Sequence, residues 1–131
     1  GCIAAGSSNF LALCMAGADG SLSGSHNFMA EQDIAMLKAV KSGNYKEAVG
    51  ISDRMEPVND VIYGSRAGLS PTYFHFRYKV SAWFLGYIPR PHMRLPQVPV
   101  GEEEVELIRQ TLIKAGMKVV RETQAFSIAK T

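Results

Sequence analysis

What most limits the folds open to this chain is where its strand-forming residues lie. Only two short runs read as strands, Cys2-Ile3-Ala4-Ala5 and Gly20 to Ser23, and both fall at the very start. Between them, Gly6-Ser7-Ser8 forms a turn, and Asn9 to Ala16 forms a short apolar helix closed by Gly17 in a left-handed conformation. Ser7 or Ser8 is placed to cap that helix. Such a tight β-α-β succession suits a parallel sheet with helices on its face. Two strands neither close a barrel nor make a stable sheet by themselves. An apolar strand directly at Gly1 would also expose an unpaired edge. The expectation is that these strands complete a larger sheet whose other strands lie on sequence preceding Gly1.

Everything after Asn27 reads as helix or extended loop. Met29 to Ser42 carries Ile34, Leu37 and Val40 on one side, and Gly43 ends it. Asn44 can cap the next helix, Tyr45 to Tyr63, whose Ala48, Ile51, Met55, Val58 and Ile62 recur at spacings of three and four. Pro57 lies inside that pattern and predicts a kink or break near Glu56. Ser70-Pro71 is a cap followed by proline in the first helical position, opening a helix to Leu85. Its aromatic residues (Tyr73, Phe74, Phe76, Tyr78, Trp83 and Phe84) face several sides, as in a helix buried between other elements. Four prolines from Pro89 to Pro99 keep the next stretch extended. Glu102, Glu103 and Glu104 favour the positive end of a last long helix, with Val105, Ile108, Leu112 and Ala115 inward and Gly116 as its stop. The tail from Lys118 has room for one more short helix.

Composition narrows the function classes. Apolar residues make up 47% and charged residues 20% of 131, a globular balance. The net charge of +2 is too small and too evenly spread to point to nucleic acid or an anionic membrane. The longest apolar run, Phe10 to Ala18, is about half of the roughly 20 residues a membrane span needs. Cys2 and Cys14 both sit in apolar company, which predicts reduced core thiols and a cytoplasmic location. No Cys, His and Asp grouping has zinc spacing, and no cofactor motif is present.

The run Gly6-Ser7-Ser8, then Ala16-Gly17-Ala18-Asp19-Gly20-Ser21-Leu22-Ser23-Gly24-Ser25-His26-Asn27, resembles the seventh and eighth β/α units of the dihydrodipicolinate synthase and N-acetylneuraminate lyase family. Downstream, Lys41-Ser42-Gly43-Asn44-Tyr45-Lys46-Glu47-Ala48, Tyr78-Lys79 with Leu85-Gly86, and Arg94-Leu95-Pro96 with Pro99 resemble later segments of that family in the same order. The likeness runs from about residue 2 to 117. It implies an α/β chain: the C-terminal fragment of a (β/α)8 TIM barrel, followed by a helical region. Residues 1–43 would be the last β/α units, 44–117 the C-terminal helical region and 118–131 a tail.

The resemblance also implies a class I aldolase or lyase acting on pyruvate or a related 2-keto acid through a lysine imine, which is a better electron sink than the ketone. The family's lysine ends strand six and its tyrosine ends strand five, so both would lie upstream. Lys38, Lys41, Lys46, Lys79, Lys114, Lys118 and Lys130 follow no strand and read as solvated charges on helices or the tail. Catalytic residues are therefore expected to be none within these residues, and the intact protein is expected to be a dimer or tetramer.

Four residues are candidates for substrate contact. Gly6 matches the family glycine that lets the loop after strand seven approach the keto acid; otherwise it is a turn glycine. Ser8, with Ser7 and Asn9, stands where relatives carry an acidic residue against the distal part of the substrate. Hydroxyls there suit a neutral or hydroxylated aldehyde partner, or simply a helix cap. Leu22 matches the aliphatic residue whose backbone borders the lysine, or is a core strand residue. Gly24 and Ser25 match the small residues that hold the barrel mouth open. His26 has the position of a general base, but a loop histidine there more often serves as a hydrogen-bonding residue. His75 reads as helix packing and His92 as solvated. The competing function is a non-catalytic helical interaction module or pseudoenzyme fragment, with the aromatic helix as its adhesive face.

Overall fold

A computed structural model describes residues 1–6, 8–64, 66–97 and 100–129. Ser7, Pro99 and Lys130, named above, lie outside them. The contacts group into a first unit, Gly1–Asn59, and a second beginning at Asp60.

In the first unit, β1 (Ile3–Ala5) and β2 (Gly20–Leu22) pair in parallel with Ile3 opposite Gly20 and Ala5 opposite Leu22. α1 (Phe10–Met15) crosses between them. It packs on β1 and on α2 (His26–Lys41), burying Phe10 and Cys14. Gly17, at φ +98°, turns the chain back after α1. Cys14 is a core thiol, as expected, but Cys2 is exposed. It precedes the strand, and its amide is fixed by the Asp19 carboxylate at 2.8 Å rather than by packing. Of the two serines expected to cap α1, Ser8 does not take the N-cap position: Asn9 holds it without a side-chain hydrogen bond, and Ser8 lies one residue further out, exposed.

α2 begins three residues earlier than the periodicity suggested and kinks at Met29, where φ is −128° and ψ is 23°. Its buried face is Met29, Asp33, Met36 and Ala39, with Phe28; Ile34 is 51% exposed. The expected stripe through Ile34, Leu37 and Val40 is thus shifted around the helix. A buried aspartate interrupts the apolar spacing of the true face and so hid it.

α3 (Tyr45–Tyr63) follows its stripe faithfully: Ala48, Ile51, Met55, Val58 and Ile62 are all buried. Asn44 caps it, accepting from the Glu47 amide at 3.4 Å and donating to the Glu47 carboxylate at 2.6 Å. Pro57 does not break it. The proline is exposed, so water can satisfy the carbonyl its missing N–H leaves free, while Met55 and Val58 hold the helix on its buried side.

In the second unit, Ser70 caps a 3-10 turn at Pro71–Tyr73 that leads into α4 (Phe74–Phe84). Phe76, Tyr78, Val80, Trp83 and Phe84 are buried, whereas Tyr73 and Phe74 at the start are only half-buried. His75 is exposed, resting on the Phe74 ring at 3.9 Å instead of packing inward. α5 (Glu102–Lys114) lies against α4 through Val105, Ile108 and Leu112. α6 (Gln124–Ala129) brings Phe126 edge-on to Trp83 at 5.8 Å and Phe76 at 6.0 Å. Arg121 donates to the Trp83 and Ile88 carbonyls, both at 2.7 Å, and lies over the Trp83 ring.

Arg77 is fully buried. Its Nε lies 2.6 Å from Glu104, and its guanidinium also donates to the Ile62 carbonyl at 3.0 Å and the Ser70 carbonyl at 2.7 Å. Ile62 is in the last turn of α3, where carbonyls have no helical partner. Among the described residues no helix is long and apolar enough to cross a membrane.

Candidate functional site

Parallel pairing carries β1 and β2 in the same direction, so the residues after each strand emerge at one end of the sheet. Gly6 donates its N–H to the Leu22 carbonyl at 3.2 Å and then turns away at φ +84°, a conformation glycine adopts without strain. A Cβ at Gly6 would meet nothing within 4 Å, so the backbone angle, not crowding, is what favours glycine there.

Leu22 ends β2 and is 77% exposed among these residues. Gly24 follows in a turn and accepts from the Asn27 side chain at 2.7 Å. Ser25 is fully buried, its hydroxyl 2.8 Å from that of Ser23. Gly6 and Leu22 are therefore in direct contact. Ser8 and Gly24, each two residues further along the chain, lie past the same end of the sheet. Ser8 has no capping duty and is exposed, so its hydroxyl is available to a ligand.

A second polar group lies beside this one. His26 is the first residue of α2, not a loop residue, and its Nε2 stands 3.1 Å from Asp33 Oδ2 two helical turns on. The Asp33 side chain is only 4% exposed. Burial pushes its carboxyl up to about 6, against the pull of the neighbouring His26. Burial, aided by the Asp33 charge, also raises the Cys14 thiol. Asp33 was missed by sequence reasoning. The readable signal was the seven-residue spacing from His26, which puts both on one helix face once α2 is started at His26 rather than Met29.

Among the described residues no three His, Cys, Asp or Glu side chains group to hold a metal. Lys38, Lys41, Lys46, Lys79, Lys114 and Lys118 are all exposed; Lys79 reaches the His92 carbonyl at 2.7 Å.

Comparison with known proteins agrees with the likeness seen in the sequence. The model of the dihydrodipicolinate synthetase family matches residues 4–115. A 4-hydroxy-tetrahydrodipicolinate synthase from Rhodopseudomonas palustris (strain BisA53) is 31% identical over 107 residues, covering 82% of this chain and 33% of that protein. A solved structure described as the first monomeric dihydrodipicolinate synthase variant superposes with a TM-score of 0.70 at 25% identity, covering 85% of this chain and 34% of its own. The chain thus spans about a third of the length of these relatives.

Proposed function

The chain belongs to the dihydrodipicolinate synthetase family, and from that premise we propose that it forms the last two β/α units and the C-terminal helices of a Schiff-base-forming carbon–carbon lyase. The substrate is pyruvate or a related 2-keto acid. In this reading residues 1–43 close a (β/α)8 barrel and 44–117 form the C-terminal helical region. The supporting observation is the parallel register, which sets Gly6 and Leu22 side by side at the end where barrels of this kind place their chemistry.

Gly6 lets the backbone approach the keto acid. The Leu22 backbone borders the lysine, and Gly24 leaves room at the mouth. Ser8 offers a hydroxyl to the second substrate, which suits a neutral or hydroxylated aldehyde better than a cationic one. The imine-forming lysine and its proton-shuttling tyrosine come from sequence outside these 131 residues. There the amine adds to the ketone with loss of water, and the resulting imine draws electrons from the bond that forms or breaks. The same family reading makes the intact protein a cytoplasmic dimer or tetramer. The solved relative is described as a monomeric variant, so light scattering on the intact protein is the check.

Borohydride reduction in the presence of labelled pyruvate tests the activity. The intact protein should trap one pyruvate as a stable secondary amine, and residues 1–131 alone should trap none. Labelling of the short chain would overturn the placement of the nucleophile. An unlabelled intact protein would favour the non-catalytic interaction module.

A further inference from the structure

We propose that the cavity between α1, β2 and α2 is a binding site for a small primary ammonium compound with a short aliphatic stem, held by Asp33 and Ser21. The cavity measures about 260 Å³ and is lined by Phe10, Gly20, Ser21, His26, Ala30, Asp33, Ile34 and Leu37. A single ordered water needs only about 15 Å³ of such space. The inference does not depend on the lyase reading.

The polar atoms on the wall point to the ligand class. Ser21 Oγ and both Asp33 carboxylate oxygens are out of contact with solvent and make no hydrogen bond among the described residues. Buried polar atoms in native proteins are ordinarily satisfied, so three on one cavity wall call for a partner. His26 Nε2, itself without a hydrogen bond, stands 3.1 Å from Asp33 Oδ2, and no Lys or Arg lines the cavity. Oδ1 faces no cation there at all. An ionised carboxylate only accepts hydrogen bonds, and the serine hydroxyl can accept one more. Apart from the Ser21 hydroxyl and His26 Nε2, which stands by Oδ2, the wall offers Oδ1 no donor, and an ammonium group supplies donors and positive charge together. The remaining surface, from Phe10, Ala30, Ile34 and Leu37, is apolar and fits an aliphatic stem. Ile34 is 51% exposed and stands at the solvent-facing rim.

The test uses n-propylammonium, 1-propanol and propionate as probes, with amide shifts in two-dimensional NMR as the readout. Propylammonium should give saturable shifts centred on residues 20–37 in the millimolar range, as suits so small a ligand. Propanol should bind at least tenfold more weakly, and propionate not at all. Asp33→Asn should weaken propylammonium binding at least tenfold, and Ser21→Ala several-fold with the dispersed spectrum retained. Absence of saturable shifts in this region, or equal affinity for propanol, would overturn the proposal. So would unchanged affinity in a folded Asp33→Asn protein. Should Asp33→Asn fail to fold, Ser21→Ala decides: unchanged affinity there also overturns it.

Discussion

Replacing Arg77 by Met should destabilise the second unit by about 3 kcal/mol. Methionine keeps most of the buried stem, so packing changes little and the polar network bears the loss. The guanidinium is fully buried and serves three oxygens: Glu104 at 2.6 Å, the Ser70 carbonyl at 2.7 Å and the Ile62 carbonyl at 3.0 Å. Breaking a buried ion pair from one side costs roughly 3–5 kcal/mol because the other charge is stranded. The lower end applies here. Glu104 keeps 17% of its side chain in solvent and sits in the first turn of α5, where the helix dipole favours a negative charge. Glu104→Gln alone should cost about 3 kcal/mol as well, since it leaves the fully buried guanidinium without a counter-charge. The double variant should then fall short of the sum by at least about 1 kcal/mol, the signature of coupled neighbours. Urea unfolding followed by the fluorescence of Trp83, the chain's single tryptophan and a buried one, reads this unit directly. A loss below about 1 kcal/mol for Arg77→Met, or strict additivity in the double variant, would refute the reasoning.

Two further outcomes follow from the same physics. Gly64→Ala should cost about 2–4 kcal/mol in the same urea assay: Gly64 has φ +82°, and a Cβ there would lie 2.7 Å from Arg77 Nη1 and 2.8 Å from the Leu69 carbonyl. A loss under about 1 kcal/mol would mean the α3–α4 connection relaxes freely. The Asp33 carboxyl is raised in the folded state from 3.8 to about 6, so the folded chain holds its proton more tightly than the unfolded one. Its contribution is fully present below about pH 4 and lost as pH rises through 6, a swing on the order of 3 kcal/mol. The difference in unfolding free energy between wild type and Asp33→Asn should therefore fall across pH 4 to 6; a flat difference would place Asp33 in contact with water.

The parts of the fold that the sequence disclosed are those where apolar spacing and backbone chemistry agree. α3 is the clearest: its stripe, its Asn44 cap and its length all came from residue order, and only the break at Pro57 was over-read. The two strands, the Ser70-Pro71 start, the proline-rich connection and α5 were legible for similar reasons. What stayed hidden is polar and buried. Asp33 and Arg77 occupy inward positions where periodicity expects an aliphatic residue, so each erased the signal it stood in. His26 was placed in a loop because α2 was started too late. Cys2 was taken for a core thiol because apolar neighbours in sequence say nothing about whether a third layer covers them. At the candidate site, Gly6 could be read from its turn, whereas the exposure of Leu22 depends on what lies against the sheet.

The short reach of the β1–α1–β2 crossover bears on when structure arises. Cys2 and Asp19 bond across only 17 positions, and the strand pairing runs alongside that link. Closing so small a loop carries little entropic penalty. Synthesis proceeds from the amino end, so this segment leaves the ribosome before any residue of the second unit has been polymerised. The crossover can begin to find its register at that stage, and the aromatic helices of the second unit form later.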